Sequence, residues 1–303
     1  MSYHERPEIS ASKLKLIDSD GWRAYEGRYI TGTIPPPPPT DATDFGQVLE
    51  TVMLEPDRVD ARVFVGPAKE DYRGALVTMD DLRAFCKTNG LKPGTRKADA
   101  IRAIRSSGFD VPIWDEIRAE ADEARGNRIE VTPQQYADIL EIVELAKNDS
   151  NARWLFHPSR VVQPEAFWGH EASGLKCRGR ADVWLPEQRI VLDVKSTRRT
   201  TPGGCIKDCI ELGYWLQDSQ YREGWKAEHF YFLFFTKSRP FRIFCIDWSM
   251  EHSAFDEYRS AILCELSDRI KVNDWSEDTE GRLLPATAPS WWIKQQGERY
   301  GNG

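Results

Sequence analysis

The sequence predicts an α/β protein, a mixed central sheet flanked by helices, with a small helical module inserted ahead of the sheet. Three features carry the prediction. Between residues 161 and 248, five runs rich in Val, Ile, Phe and Trp are separated by turn residues, and a helical stretch divides the first three from the last two. Strands interleaved with helices pack as layers around one core. Residues 43–54 and 131–148 repeat apolar side chains at helical spacing. Residues 80–108 carry helix-stopping glycines of their own, Gly90 and Gly108.

Taken in chain order, 8–29 reads as a short helix after ISAS. Residues 35–39 are five consecutive prolines, stiff and extended, a spacer or wrapping arm that excludes helix and central strand. In 43–54 (TDFGQVLETVML), Phe45, Val48, Leu49 and Val52 share one face. Within 80–108, a first helix over 80–89 buries Leu82, Phe85 and Cys86, LKPGT is an extended link, and a second helix over 96–106 turns Ala98, Ile101 and Ile104 to one side. The helix over 131–148 starts with Thr132 as N-cap and Pro133 in its first turn. Strands over 161–168, 175–185 and 189–196 follow as a meander, with LPEQ turning between the second and third. A helix over 206–223, strands over 229–236 and 241–248 joined by KSRP, and a helix over 249–270 with Tyr258, Ile262, Leu266 and Ile270 in register complete the pattern. The last thirty residues are polar and carry Trp291 and Trp292, exposed or docked.

A chain of 303 residues buries a substantial core in one large domain or two modest ones. With 40% hydrophobic and 29% charged residues it is an ordinary globular composition. No apolar run reaches the ~18 residues of a membrane helix, and MSYHERPEIS lacks the apolar core of a secretion signal, so the cytoplasm is the expected compartment and no membrane is expected as a partner. Six scattered cysteines then read as reduced thiols. Cys205 and Cys209 are spaced C-x3-C, half of a metal site at most, and no second pair follows at ligand spacing. The net charge of −7 weighs against polyanion binding, but its distribution does not. From Arg83 to Arg105 there are seven basic residues and one acid, and from Lys176 to Arg199 seven basic residues and three acids. The acidic surplus lies around 115–123 and in the C-terminal tail.

The chemistry concentrates in GLKCRGRADVWLPEQRIVLDVKSTRR. Asp193 and Lys195 are two residues apart on a strand, so alternation sends both to one face. The preceding hairpin brings Asp182 alongside, giving D-x10-D-x-K. The flanking Val191, Leu192 and Val194 mark a buried strand, where unpartnered carboxylates are costly. A divalent cation resolves that conflict and suits phosphodiester hydrolysis, with Lys195 orienting the attacking water and offsetting charge at phosphorus. An ordinary ion pair between Asp193 and Lys195 on an edge strand is the plain alternative. In the helix that follows, Gln217 and Tyr221 are four apart on one face.

The run G-R-x-D (Gly179, Arg180, Asp182), then D-x-K (Asp193, Lys195), then GY-x-x-Q-x-x-x-Y (Gly213, Tyr214, Gln217, Tyr221) resembles the RecB-type branch of PD-(D/E)XK nucleases, and most of all the phage RecE-type exonucleases (exonuclease VIII). ISASKLK, the prolines and FGQVLETVMLEPDR resemble the N-terminal part of the same family. The resemblance covers most of 9–57 and 131–248 and implies a PD-(D/E)XK restriction-endonuclease-like core. It implies Asp182 and Asp193 as metal ligands, the Val194 carbonyl as a further ligand, Lys195 as catalytic, and Gln217 and Tyr221 supporting the site or contacting the DNA backbone. Glu165, in QPEAFW, matches the acidic residue of the family's first strand. Where the branch commonly has a metal-ligating His in FG-x-x-x-H, this sequence has Glu50, and a carboxylate ligates Mg²⁺ at least as well. His157 and His170 read as surface or supporting residues.

Lys176, Arg178, Arg180, Arg198 and Arg199 flank the motif, individually solvated charges or together a phosphate track. Residues 80–108 resemble SAP and related helix-extension-helix DNA-binding modules, in which Lys92, Arg96 and Lys97 would meet DNA; a helical hairpin with a solvated basic face is the alternative. The expected division is 1–78 and 113–272 for the nuclease, 79–112 for the inserted module and 273–303 for a tail. By resemblance the activity is a Mg²⁺-dependent deoxyribonuclease, with Mn²⁺ able to substitute, degrading linear double-stranded DNA from 5′ ends for recombination. A homo-oligomer and a single-strand annealing recombinase are the implied partners. A structure-specific or restriction-type endonuclease, a non-catalytic DNA-binding adaptor and an RNA nuclease are the other readings.

Overall fold

The computed structural model describes residues 6–38 and 41–277. The expectations for Trp291, Trp292 and the acidic tail fall outside them. The helices are α1 (Ala11–Asp20), α2 (Trp22–Tyr25), α3 (Asp41–Leu54) and α4 (Val59–Arg62), then strand β1 (Val63–Val65). Three helices follow, α5 (Met79–Thr88), α6 (Lys97–Ser106) and α7 (Trp114–Arg125), before β2 (Ile129–Val131) and α8 (Pro133–Asn148). Next come β3 (Val161–Val162), β4 (Glu165–Gly169), β5 (Lys176–Arg180), β6 (Val183–Leu185) and β7 (Ile190–Thr197). The described chain ends with α9 (Pro202–Glu211), α10 (Tyr214–Trp225), β8 (His229–Thr236), β9 (Ile243–Asp247) and α11 (His252–Val272).

The central sheet runs β3-β6-β7-β8-β9, antiparallel except for the parallel pair β7 and β8, which is the mixed α/β architecture the pattern predicts. β8 (HFYFLFFT) is buried on both faces. Phe230, Phe232 and Phe234 pack with Val191, Tyr221, Cys205 and Cys209 on the α9–α10 side. Leu233 and Phe235 pack on the other side with Leu192, with Phe45, Val48, Leu49 and Val52 of α3, and with Ile139, Ile142 and Val143 of α8. The α3 stripe read from sequence is thus the stripe that is buried. Thr132 and Gln135 form a capping box that starts α8. Among the described residues no helix is long and apolar enough to cross a membrane.

Several expected elements break. The strand over 161–168 divides into β3 and β4, and the strand over 175–185 into β5 and β6. Gln163 takes φ +48 and Pro164 follows, so the chain leaves the central sheet, and β4 pairs with β5 as a separate hairpin. The helix over 206–223 is two helices, because Gly213 is left-handed (φ +62) between them. In α6 the buried residues are Ala100 and Ile104, while Ala98 is exposed. In α11 the buried face runs Phe255, Arg259, Leu263 and Leu266, while Tyr258 and Ile270 are exposed. Arg259 hides that face from a hydrophobicity reading: it is buried because Ser219, Gln220 and Glu223 accept its hydrogen bonds.

β1 and β2 are a parallel pair whose intervening chain carries α5, α6 and α7. Leu76, Leu82, Cys86, Ala100, Ile104 and Ile113 form an apolar cluster of their own within that excursion. Sequence pattern does not announce α7 or the β1–β2 pair: the strands are three residues each, and α7 buries only Ala121. Residues 35–38 are exposed and neither helix nor strand.

Candidate active site

β6 runs beside β7 only from Val183 to Leu185, opposite Leu192 to Ile190. Beyond Leu192, β7 continues along β8 as far as Thr197. Asp182 is the last residue before β6, and its Oδ2 accepts the N–H of Val194 at 2.6 Å. A side chain thereby takes the ladder position that a strand would have filled. Gln163 N–H donates to the Asp182 carbonyl at 2.9 Å, tying the chain break to the same point.

Asp193 and Lys195 project to the α9–α10 side of β7. Asp193 is 2% exposed, with Oδ2 paired to Lys195 Nζ and Oδ1 accepting from Gln217 Nε2 on α10. From the opposite side α3 presents Glu50, whose Oε1 accepts from Gln163 Nε2 at 2.6 Å. The approach of α3 depends on Gly46, where a Cβ would stand 3.2 Å from Ser196 Oγ on β7.

Burial pushes the Asp182 carboxyl well above the usual range, and the neighbouring charges of Asp193 and Glu50 push the same way; Lys195 and the Val194 N–H oppose them. Glu50 is raised too, first by burial and then by Asp193, against the hydrogen bond from Gln163. Burial works against the charge of Lys195, but Asp193 and Asp182 outweigh it and hold the ammonium above its ordinary value. The site therefore concentrates more negative charge than its lysine offsets. Three carboxylates supply hard oxygen donors of the kind Mg²⁺ takes. Each carboxylate is turned to a protein donor, and among the described residues no three His, Cys, Asp or Glu side chains are already grouped as a metal cluster. In chemistry the residues fit a divalent ion.

Asp182, Asp193, Lys195, Glu50 and Gln217 are thus brought together. The Val194 N–H is bonded to Asp182 Oδ2, on the residue whose carbonyl is the expected further ligand. Tyr221, one turn after Gln217, packs on Trp225 and Phe230. It also explains Gly179, where a Cβ would stand 2.8 Å from Trp225 and 3.0 Å from Tyr221. Glu165 stands apart: it is exposed on β4, opposite Arg180 in register and within the electrostatic reach of Arg6. The side chain set against Glu50 is instead Gln163, which a pattern reading assigns to a strand interior. Lys15 was also hidden, since its Nζ donates to Gln217 Oε1 at 2.9 Å across 202 positions of sequence.

Arg178 and Arg180 line a cavity of about 580 Å³ with Ser10, Ser12, Arg28 and Tyr29. Arg180 also lines a second cavity of about 660 Å³ that contains Glu50, Gln163 and Arg62. Arg198, Arg199 and Lys176 are exposed, and Arg199 is held by Asp208 at 2.9 Å. Lys92 and Arg96 are exposed in the excursion, whereas Lys97 bonds the Val77 carbonyl at 2.7 Å and Asp115 at 2.6 Å. His157 accepts from the Ser159 N–H, and His170 is buried against Ser173 Oγ at 2.9 Å. Cys205 and Cys209 are free thiols in the core.

Residues 114–277, more than half of the chain, match the family described as a PDDEXK-like domain of unknown function (DUF3799). No curated protein matches. Among solved structures the chain is similar to a candidate exonuclease from Eubacterium rectale, at 12% identity and TM-score 0.49 over 95% of this chain and 92% of that one. It is also similar to a phage related exonuclease from Haemophilus somnus, at 13% identity and TM-score 0.32 over 68% of this chain and 99% of that one. The family match runs from α7 to the end of α11 and so contains Asp182, Asp193, Lys195 and Gln217. The chain belongs to this family of PDDEXK-like domains.

Proposed function

We propose that the protein is a divalent-metal-dependent deoxyribonuclease that hydrolyses phosphodiester bonds where β6 leaves β7. The observation that carries this reading is the convergence of Asp182, Asp193 and Lys195 at that gap with Glu50 facing them from α3. Asp182, Asp193 and Glu50 would hold Mg²⁺, or Mn²⁺ in its place, and the ion would polarise the scissile phosphate and stabilise the leaving oxygen. Lys195, kept protonated by Asp193 and Asp182, donates to the attacking water and offsets charge as it builds on the phosphoryl oxygens. Gln217 holds Asp193 in place through Oδ1. Arg180, which shares a cavity with Glu50, supplies positive charge beside the acidic centre, suited to the flanking phosphates, and Arg178 lines the adjoining cavity.

The substrate in this reading is linear double-stranded DNA, degraded from 5′ ends to leave a 3′ strand for recombination. That direction, an oligomeric assembly and a single-strand annealing partner rest on the sequence resemblance to RecE-type exonucleases. The excursion holding Lys92 and Arg96 is proposed as a second contact to duplex DNA. The test is release of nucleotides from end-labelled linear duplex with Mg²⁺, beside closed circular DNA and an Asp193→Ala control. Loss of linear duplex alone, abolished in the variant, supports the exonuclease. Cutting of the circle replaces it with an endonuclease, and DNA binding without cleavage by the wild type overturns catalysis.

A further inference from the structure

We infer that Lys15 is a positioning residue of this site, fixing which end of the Gln217 amide faces Asp193. The inference rests on the nuclease reading for its consequence, though not for its geometry. A glutamine side chain has a carbonyl that accepts and an NH₂ that donates, and only the NH₂ end suits a carboxylate. Lys15 Nζ donates to Gln217 Oε1 at 2.9 Å, and Gln217 Nε2 donates to Asp193 Oδ1. The reversed amide would set its NH₂ against Lys15 and its oxygen against Asp193, losing both hydrogen bonds. A donor on Oε1 also polarises the amide and strengthens its Nε2–H toward Asp193.

The fold is shaped to deliver this contact. Gly213 opens α10, and a Cβ there would stand 3.2 Å from Lys15 Cγ, so the lysine stem crosses where the helix break leaves room. Lys15 Nζ lies 4.4 Å from the centroid of the Tyr214 ring and Lys195 Nζ 5.1 Å from the same centroid. One aromatic ring thus supports both lysines that act on Asp193, one directly and one through Gln217. Burial and Lys195 push Lys15 down to about 7, against Asp193, and the ammonium, which can only donate, is the form that excludes the reversed amide. Groups that orient a metal-binding side chain in this way are typically worth ~10–100-fold in metal affinity.

The test uses the full chain, ¹⁵N-labelled and free of metal, with the Gln217 side-chain amide signal assigned by its loss in Gln217→Glu. In Lys15→Met that signal should move toward the position of a free amide, and Lys15→Arg should restore it. Lys15→Gln, shorter and polar, serves in the same role if Lys15→Met does not fold. Calorimetric titration with Ca²⁺ should show affinity weakened by ~10-fold or more in Lys15→Met, with recovery in Lys15→Arg. An unmoved Gln217 signal in Lys15→Met overturns the inference. If the wild type binds no divalent ion and cuts no DNA, the nuclease reading fails while the amide signal still decides the role of Lys15.

Discussion

Asp182 Oδ2 accepts the backbone N–H of Val194 at 2.6 Å, so the carboxylate at the end of one strand closes the ladder of the strand that carries Asp193 and Lys195. One residue both shapes the gap and charges it. Asp182→Asn keeps an oxygen for the Val194 N–H but removes the charge that Asp193 and Glu50 oppose. Its melting temperature should equal or exceed that of the metal-free wild type, while cleavage of end-labelled duplex falls by at least ~100-fold. A large loss of stability would show that Asp182 serves the fold more than the charge of the site.

Asp182 and Glu50 are both raised, so the folded chain holds their protons more tightly than the unfolded chain does. Their ionisation therefore costs stability, a cost absent at low pH and felt as pH rises from the ordinary carboxylate range through the raised values. A bound divalent ion reverses that cost, because it takes the ionised form. The rise in melting temperature on adding Mg²⁺ should be larger at about pH 8 than at about pH 5.5. A Mg²⁺ effect independent of pH would separate these carboxylates from metal binding.

Glu50 and Glu165 are both acidic residues of the sequence motifs, but the structure treats them differently. Glu50 is half-buried and feels the charge of Asp193, while Glu165 is exposed on β4. Glu50→Gln should lower cleavage by at least ~100-fold. Glu165→Ala should stay within about threefold of wild type, in keeping with a surface substitution. Equal losses would place Glu165 in the machinery after all.

Within the excursion, Lys97 and its neighbours should separate in the same manner. Lys97 bridges the Val77 carbonyl and Asp115, so Lys97→Met should cost about 1 kcal/mol of stability, read from denaturant unfolding. Lys92→Glu with Arg96→Glu should leave stability nearly unchanged and weaken binding to duplex DNA, with a shallower salt dependence. Unchanged DNA affinity and salt slope would leave those charges merely solvated.

Gly179 has no room for a methyl group between Trp225 and Tyr221. Gly179→Ala should therefore destabilise by ~1–3 kcal/mol, the usual scale of overpacking, visible as a lowered melting temperature. Retained stability would mean that the Trp225 ring moves aside freely.

The sequence alone determined the mixed α/β class, the apolar stripe of α3 and the shared face of Asp193 and Lys195, because each follows from a period of 2 or 3.6 within one element. It also placed Asp182 near them, since a short turn fixes the register of β6 on β7. Local periodicity cannot reveal where an element stops being regular. Gln163, at φ +48, and Gly213, at φ +62, split strand and helix, and those breaks let Asp182 cap β7 and let the stem of Lys15 reach Gln217. Arg259 is likewise concealed, because burial of a charge is decided by partners brought from another helix. Only the tertiary structure decided that Gln163, and not Glu165, faces Glu50. Contacts between residues more than a hundred positions apart depend on how layers stack, and no single element carries that information.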